Sequence, residues 1–397
     1  MTEKVVGGGL AMAHMGGGMR VEEVGQKLAR IRRFIEDRQF GAVWLRRADN
    51  FAWVTAGGDS RVGRAVDCGA ASVLVDGEAA YVVASNVEMP RIVDEVLGPL
   101  GVAVKFEPLV HGWDRDPAEA VRRAAGGGGA IASDVWADGL CCMPGAIAAL
   151  RTPLTLGEVA RYPEVGRGAS AVVERTCREI EPGQSEIAIA ADLWRGLMVE
   201  GFNPTVVLVG VDDRMIRYRH QPPTAARLDR QCMVVVCAQK WGLTAAMTRT
   251  VCFGAEAAAE AEEAHRAASA VCAAMMASCR AGVPYSSVWK AAEEAYVREG
   301  FPGQWMEHHQ GGPISYGDRE FLLAPDCSVG SACSGAGLIQ VPTAMAFNPS
   351  VPGGKSEDTF LVTEAGRIMI TTSSPFWPKL RFCVDGECME RPGILVR

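Results

Sequence analysis

Three short stretches of the chain gather side chains able to move protons or to hold charge. Arg217-Tyr218-Arg219-His220-Gln221-Pro222-Pro223 sets a histidine between basic residues. Glu307-His308-His309-Gln310-Gly311-Gly312-Pro313 places two histidines ahead of a glycine pair, with Tyr316-Gly317-Asp318-Arg319-Glu320 close behind. Asn348 and Glu357-Asp358-Thr359 form the third group. Imidazole titrates near neutrality, so a histidine can take up and return a proton at ordinary pH. A lone histidine fits a core or a surface equally well. Two together before Gly-Gly, where backbone can approach a ligand closely, point to a site.

The elements that must position these residues are legible from periodicity. Apolar residues at Val24, Leu28, Ile31 and Ile35 recur at helical spacing across 21–40. Short β-prone runs follow at 42–45, 71–75 and 80–84, the last two joined by Asp76-Gly77 as in a hairpin. A helix over 89–97, a strand over 102–106 and a helix over 117–125 complete a small α/β domain. Gly126 to Gly129 lacks the Gly-Lys-Ser/Thr ending of a phosphate loop and reads as a flexible turn. Beyond Arg151-Thr152-Pro153 the texture changes to alanine-rich helices over 156–180, 185–200, 255–281 and 285–299. Between and after them lie β-rich segments at 205–210, 231–238, 243–253, 338–347, 357–364 and 366–373. The expected fold class is therefore α+β, a helical layer over a curved sheet. Residues 1–18, glycine-rich and without apolar period, read as a disordered lead.

Composition narrows the partners. Of 397 residues 48% are hydrophobic and 22% charged, and 40 basic against 47 acidic residues give a net charge of −7. No long run of like charge suits nucleic acid or an anionic membrane, and no apolar run reaches the ~18 residues of a membrane span. A small-molecule substrate is expected. The thirteen cysteines are odd in number and lie mostly in apolar runs, which suits free thiols in the cytoplasm better than a disulfide framework. No CxxC pairing suggests structural zinc.

Several motifs occur in an order that carries a family resemblance. Leu156-Gly157-Glu158-Val159-Ala160-Arg161, Ile180-Glu181-Pro182-Gly183-Gln184-Ser185-Glu186, Thr248-Arg249-Thr250 and Glu357-Asp358-Thr359-Phe360-Leu361-Val362-Thr363-Glu364 resemble the pita-bread domain of creatinase, prolidase, aminopeptidase P and methionine aminopeptidase. Asn50-Phe51-Ala52-Trp53-Val54-Thr55 is similar to the N-terminal domain of the creatinase type. The resemblance spans about residues 20–375. It implies an N-terminal domain over 19–152 and a pita-bread catalytic domain over 153–397.

Metallopeptidases of that family hold two divalent cations on two Asp, one His and two Glu, and the cations activate water. Aligned on Thr248-Arg249-Thr250, the two aspartates fall on Val235 and Ala246. The histidine matches His309, or less closely His308, the first glutamate falls on Asn348, and the last is kept as Glu357. No acidic residue occurs from Gln231 through Gly254, so no shift of register restores the set. No metal and no cofactor is expected.

The resemblance then implies the logic of creatinase, which works without metal through a histidine that shuttles a proton between water and a small C–N substrate. His220 holds that histidine's place, with His309 and Glu357 completing the catalytic set. Creatinase's own acidic residues correspond to Thr248 and Asn348, so creatine is not the expected substrate. With acidic positions lost and Arg217, Arg219 and Arg319 present, a carboxylate-bearing amide, amidine or amino-acid derivative fits better. The binding set comprises Arg319, Glu320, Tyr316, His308, Asn348, Arg217 and Thr248. The family resemblance also implies a two-fold homodimer in which Phe51, Trp53, Arg61 and Arg64 reach the partner's pocket. Either arginine could clamp a carboxylate or be a solvated loop residue. Cys237 is a nucleophile if His220 lowers its pKa, or a small buried residue. Trp241, Trp305 and Met345 line core or an apolar wall. Two other functions stay open: a Xaa-Pro peptidase with a single metal on His309 and Glu357, and a non-catalytic binding protein.

Overall fold

The apolar stripe Val24, Leu28, Ile31 and Ile35 is buried along one face of the first helix, as its spacing requires. The computed structural model describes residues 17–324 and 337–397. Most of the lead read as disordered lies outside the described residues, but Gly17 and Gly18 already belong to helix α1 (Gly17–Arg38). Cys327 and Cys333 also lie outside them. Contacts divide the chain into two compact units, one ending at Met143 but including Thr155–Gly157, the other comprising Pro144–Leu154 and Glu158–Arg397.

In the first unit β1 (Ala42–Arg47), α2 (Ala48–Val54), β2 (Cys68–Asp76), β3 (Ala80–Ser85), α3 (Met89–Arg91), β4 (Glu107–His111), α4 (Pro117–Ala124), β5 (Ile131–Ser133) and β6 (Cys141–Cys142) follow α1. The strands form one sheet in the order β4-β3-β2-β1-β5-β6. Asp76 closes the β2–β3 hairpin, its Oδ1 accepting from the backbone N–H groups of Glu78 and Ala79 at 2.8 and 2.6 Å. The expected strand over 102–106 is instead a short 3-10 turn, Ala103–Lys105, and the strand begins at Glu107. Val102 and Phe106 are buried while Val104 is 82% exposed, so the three do not share a strand face.

The second unit continues with α5 (Pro144–Arg151), α6 (Leu156–Glu179), α7 (Glu186–Val199), β7 (Asn203–Val211), α8 (Asp213–Arg217), β8 (Gln231–Lys240), β9 (Leu243–Cys252), α9 (Ala255–Ser278) and α10 (Tyr285–Arg298). After these come β10 (Gly311–Pro313), β11 (Thr343–Phe347), β12 (Ser350–Val351), β13 (Gly354–Lys355), β14 (Asp358–Thr363), β15 (Gly366–Met369), β16 (Lys379–Val384), β17 (Glu387–Pro392) and β18 (Leu395–Val396). Two four-stranded sheets, β18-β9-β8-β7 and β10-β11-β14-β15, carry the site. Met275, Trp289, Tyr296, Met345, Phe347 and Phe360 form the core where α9 and α10 pack on the second sheet, with Trp305 against it. Trp241 sits in the β8–β9 turn beneath Lys240.

The two sheets are tied together beside the site. Thr359 Oγ1 accepts from the Ala246 N–H at 2.8 Å and donates to the Ala246 carbonyl at 3.0 Å, while the Thr248 N–H donates to the Glu357 carbonyl at 3.0 Å. The neighbouring residues face the other way, as strand alternation dictates. Arg249 and Arg391 bind the two oxygens of Asp358 at 3.0 and 2.6 Å, all three buried. Thus Thr248 and Glu357 turn to the site, while Arg249 and Asp358 lock the scaffold.

One cysteine expectation is corrected. Cys383 and Cys388 face each other across the β16–β17 hairpin and form a disulfide. Sequence spacing concealed it, because the pairing depends on the hairpin register. Nine other cysteines are free thiols among the described residues. No described helix is long and apolar enough to cross a membrane.

Candidate active site

His220 stands on the loop after α8, and a buried carboxylate fixes that loop. Glu186, near the start of α7, accepts from the Val211 N–H, Arg214 Nε, and both the N–H and Oγ1 of Thr224 at 2.6–3.1 Å. Buried Gln221, next in sequence, returns its carbonyl to the Val209 N–H of β7. The exposed imidazole of His220 is therefore anchored through its backbone.

His308 and His309 precede β10. Gln310 holds their backbone, its Nε2 donating to the His308 carbonyl while its Oε1 accepts from Tyr296 Oη at 2.9 Å. The glycine pair behind them serves packing. Gly311 has φ +87°, and a Cβ there would lie 2.1 Å from the Ala346 carbonyl oxygen, while one on Gly312 would meet the Phe321 carbonyl oxygen at 2.3 Å. The close approach read from Gly-Gly is to neighbouring backbone.

These supports bring the three histidines together. Nε2 of His220 lies 3.1 Å from Nε2 of His308, and the rings of His308 and His309 stack with centroids 4.3 Å apart. Partial desolvation of the ring, then the positive charge of Lys355, lowers the pKa of His220 below the ordinary 6.5. The same causes, with the other imidazoles adding, bring His308 down to about 2. Burial and Arg319 bring His309 to about 4. His308 and His309 are therefore neutral at pH 7, and His220 is shifted in the same direction.

Glu357, whose charge acts on His220 and His309, is buried with both oxygens engaged. Arg319 Nη2 donates to Oε1 at 2.8 Å, Thr248 Oγ1 donates to Oε2 at 2.9 Å, and Lys355 Nζ stands 3.5 Å from Oε2. Burial alone would raise its pKa, but Lys355 and Arg319, with the hydrogen bonds, outweigh that and hold the carboxyl below its usual range. Lys355 was missed in the sequence reading. The available signal was its place two residues before Glu357, the strand spacing that puts two side chains on one face.

Other expected site residues fall elsewhere. Glu320 is a structural clamp, not a substrate contact. Its buried carboxylate takes Arg151 Nε at 2.6 Å, Ser315 Oγ, and the N–H groups of Tyr316 and Gly317. Buried Tyr316 spends its hydroxyl on Glu158 at 2.7 Å. Cys237 is buried in β8, and burial followed by the charge of Asp318 drives its thiol pKa far up, which removes it as a nucleophile. Asn348 is buried with an unpartnered Oδ1. Arg217 is exposed against the Tyr218 ring. In the first unit Phe51 and Trp53 are wholly buried core of α2, so they are not available to reach another subunit. Arg61 bonds Asp59, and Arg64 is exposed.

The sequence matches the model of metallopeptidase family M24 over residues 160–364, more than half of the chain. The chain belongs to metallopeptidase family M24. Its architecture is similar to that of dipeptidase PepE from Mycobacterium ulcerans, with 18% identity, 95% of this chain and 98% of that one covered and a TM-score of 0.68. It is also similar to the prolidase from Pyrococcus horikoshii OT3 (16% identity, 88% and 99% covered, TM-score 0.69). The N-terminal domain of FACT complex subunit SPT16 from Cicer arietinum is a third such structure (12% identity, 89% and 97% covered, TM-score 0.62). No curated protein matches the sequence. These likenesses place the chain in the pita-bread fold with an N-terminal domain.

The dinuclear centre implied by this M24 fold does not fit the residues present. Val235 and Ala246 lie buried on β8 and β9 where carboxylates would be needed, and Asn348 replaces a third. The remaining Glu357 is enclosed by Thr248, Arg319 and Lys355, and two cations beside it oppose a divalent ion.

Proposed function

We propose that this M24 chain is a metal-independent hydrolase or lyase of a small, carboxylate-bearing amide, amidine or amino-acid derivative, with His220 as acid and base. One observation carries the reading: the exposed imidazole of His220 is bonded through Nε2 to His308, with no partner among the described residues for its other ring nitrogen. In the hydrolytic form that nitrogen takes a proton from water as the water oxygen bonds the carbonyl or amidine carbon. The C–N bond then breaks, and the leaving nitrogen takes the proton back from the imidazolium. Glu357, held anionic, favours the imidazolium in between, since its charge raises the His220 pKa. Arg319 and Lys355 supply fixed positive charge beside the reacting group.

A screen of N-acyl and amidino amino acids with chelator-treated protein tests this. Turnover that survives chelation and is lost in His220→Asn supports it, and turnover that needs added metal refutes it. One observation favours a second reading, a mononuclear Xaa-Pro peptidase-like hydrolase: His220, His308 and His309 each offer a nitrogen, all within 4.8 Å of one another. Three neutral imidazoles suit zinc, which takes three protein ligands at catalytic sites. Zinc-stimulated cleavage of Xaa-Pro dipeptides would favour that reading instead.

A further inference from the structure

We propose that Lys355, together with Arg319, forms the seat for the carboxylate of the substrate, at the place where family M24 otherwise concentrates metal charge. The inference rests on the metal-independent reading above and assigns a residue that the family's motifs do not include. Two independent observations carry it.

The first is a charge imbalance. Lys355 and Arg319 share one carboxylate, Glu357, and the side chains are 3%, 9% and 2% exposed. The three nearby histidines, whether neutral or protonated, carry no negative charge to balance them. Glu320 is committed to Arg151, and Asp318 is exposed and bonded to Thr205. One positive charge is left over in a dry place, a costly arrangement unless an anion completes it.

The second is unspent hydrogen-bonding capacity. An ammonium carries three donors, yet Lys355 Nζ has a single described partner, the Glu357 oxygen at 3.5 Å. Arg319 Nε is buried without a partner, as is Asn348 Oδ1. Lys355 also acts on His220, His308 and His309 as a nearby charge, so an anion on it would sit beside the histidine cluster. A substrate carboxylate accepting from Lys355 Nζ and Arg319 Nε would thus hold an adjacent C–N bond within reach of His220. Because the fixed charges recognise the carboxylate rather than a peptide's neutral carbonyl, small acids would be selected over longer chains.

The test is a titration of the full-length protein with acetate, read from the histidine Cε1–H NMR signals, against sodium chloride at equal ionic strength. A saturable shift specific to acetate is expected. In Lys355→Met the affinity should fall ~30-fold or more, the scale for losing one partner of a buried charge pair. Should Lys355→Met not fold, Arg319→Gln serves with the same expected loss. Wild-type shifts no different from those with chloride would overturn the proposal, as would equal acetate affinity in a folded Lys355→Met. His220→Asn separates the two claims, since it should lower turnover ~10²-fold or more and keep acetate binding. Loss of acetate binding in Lys355→Met alongside metal-dependent turnover in the wild type would overturn the acid–base reading and leave this one standing.

Discussion

His220 and His308, 88 residues apart in sequence, meet at 3.1 Å between their Nε2 atoms. Two neutral imidazoles can make that contact only if one donates and the other accepts, so protonating both would break it. The pair therefore couples the chemistry of the exposed ring to the burial of the other.

Replacing His220 by Asn should lower turnover ~10²-fold or more, the scale for a general acid–base group, with little change in KM. Steady-state kinetics on a substrate from the amide screen would check this. Cys237→Ala should keep near-normal turnover, because its thiol pKa is driven up by burial and it cannot supply a thiolate.

Activity should fall on acidification with a midpoint below 6.5, since the pKa of His220 is lowered by burial and by Lys355, against the opposing pull of Glu357. Stability follows the same sign. The unfolded chain protonates these imidazoles near 6.5, while the folded His309 and His308 wait until about 4 and about 2. The unfolded state then binds more protons, so stability falls as pH drops below 6.5. Lys355, Arg319 and Arg219 oppose charging of the pair, and Glu357 favours it only at His309. Melting curves between about pH 7 and about pH 5, above the range where carboxylates titrate, should show a weaker pH slope in His308→Gln/His309→Gln than in wild type.

Arg151→Met should destabilise the fold by ~3 kcal/mol, because it strips the partner from a buried carboxylate. The Arg151–Glu320 pair is 6% and 1% exposed at 2.6 Å. Denaturant unfolding reads this directly. A change in KM without a change in stability would restore Glu320 to the binding set.

The long helices were legible because their apolar period and length leave little ambiguity: α7 and α10 lie within a residue or two of the spans expected from sequence. Val104 misled the reading of 102–106 because an alternating Val-x-Val-x-Phe pattern says strand, while the single turn that buries only its ends is a tertiary choice. At the site, the His220, His308 and Glu357 positions were visible as members of dense polar clusters in the second half of the chain. Glu320 looked equally functional, because sequence does not show that Arg151, 169 positions away, would take its carboxylate. Lys355 escaped notice for the converse reason: lysine is ordinarily solvated, and only the fold shows this one buried against Glu357.

Metal-independent catalysis is decided by measuring turnover of the protein after exhaustive chelation, with its metal content determined on the same sample. Full turnover at far less than one metal ion per chain, falling ~10²-fold or more in His220→Asn, is expected. Turnover that vanishes on chelation and returns in proportion to one or two equivalents of added zinc, manganese or cobalt would contradict it.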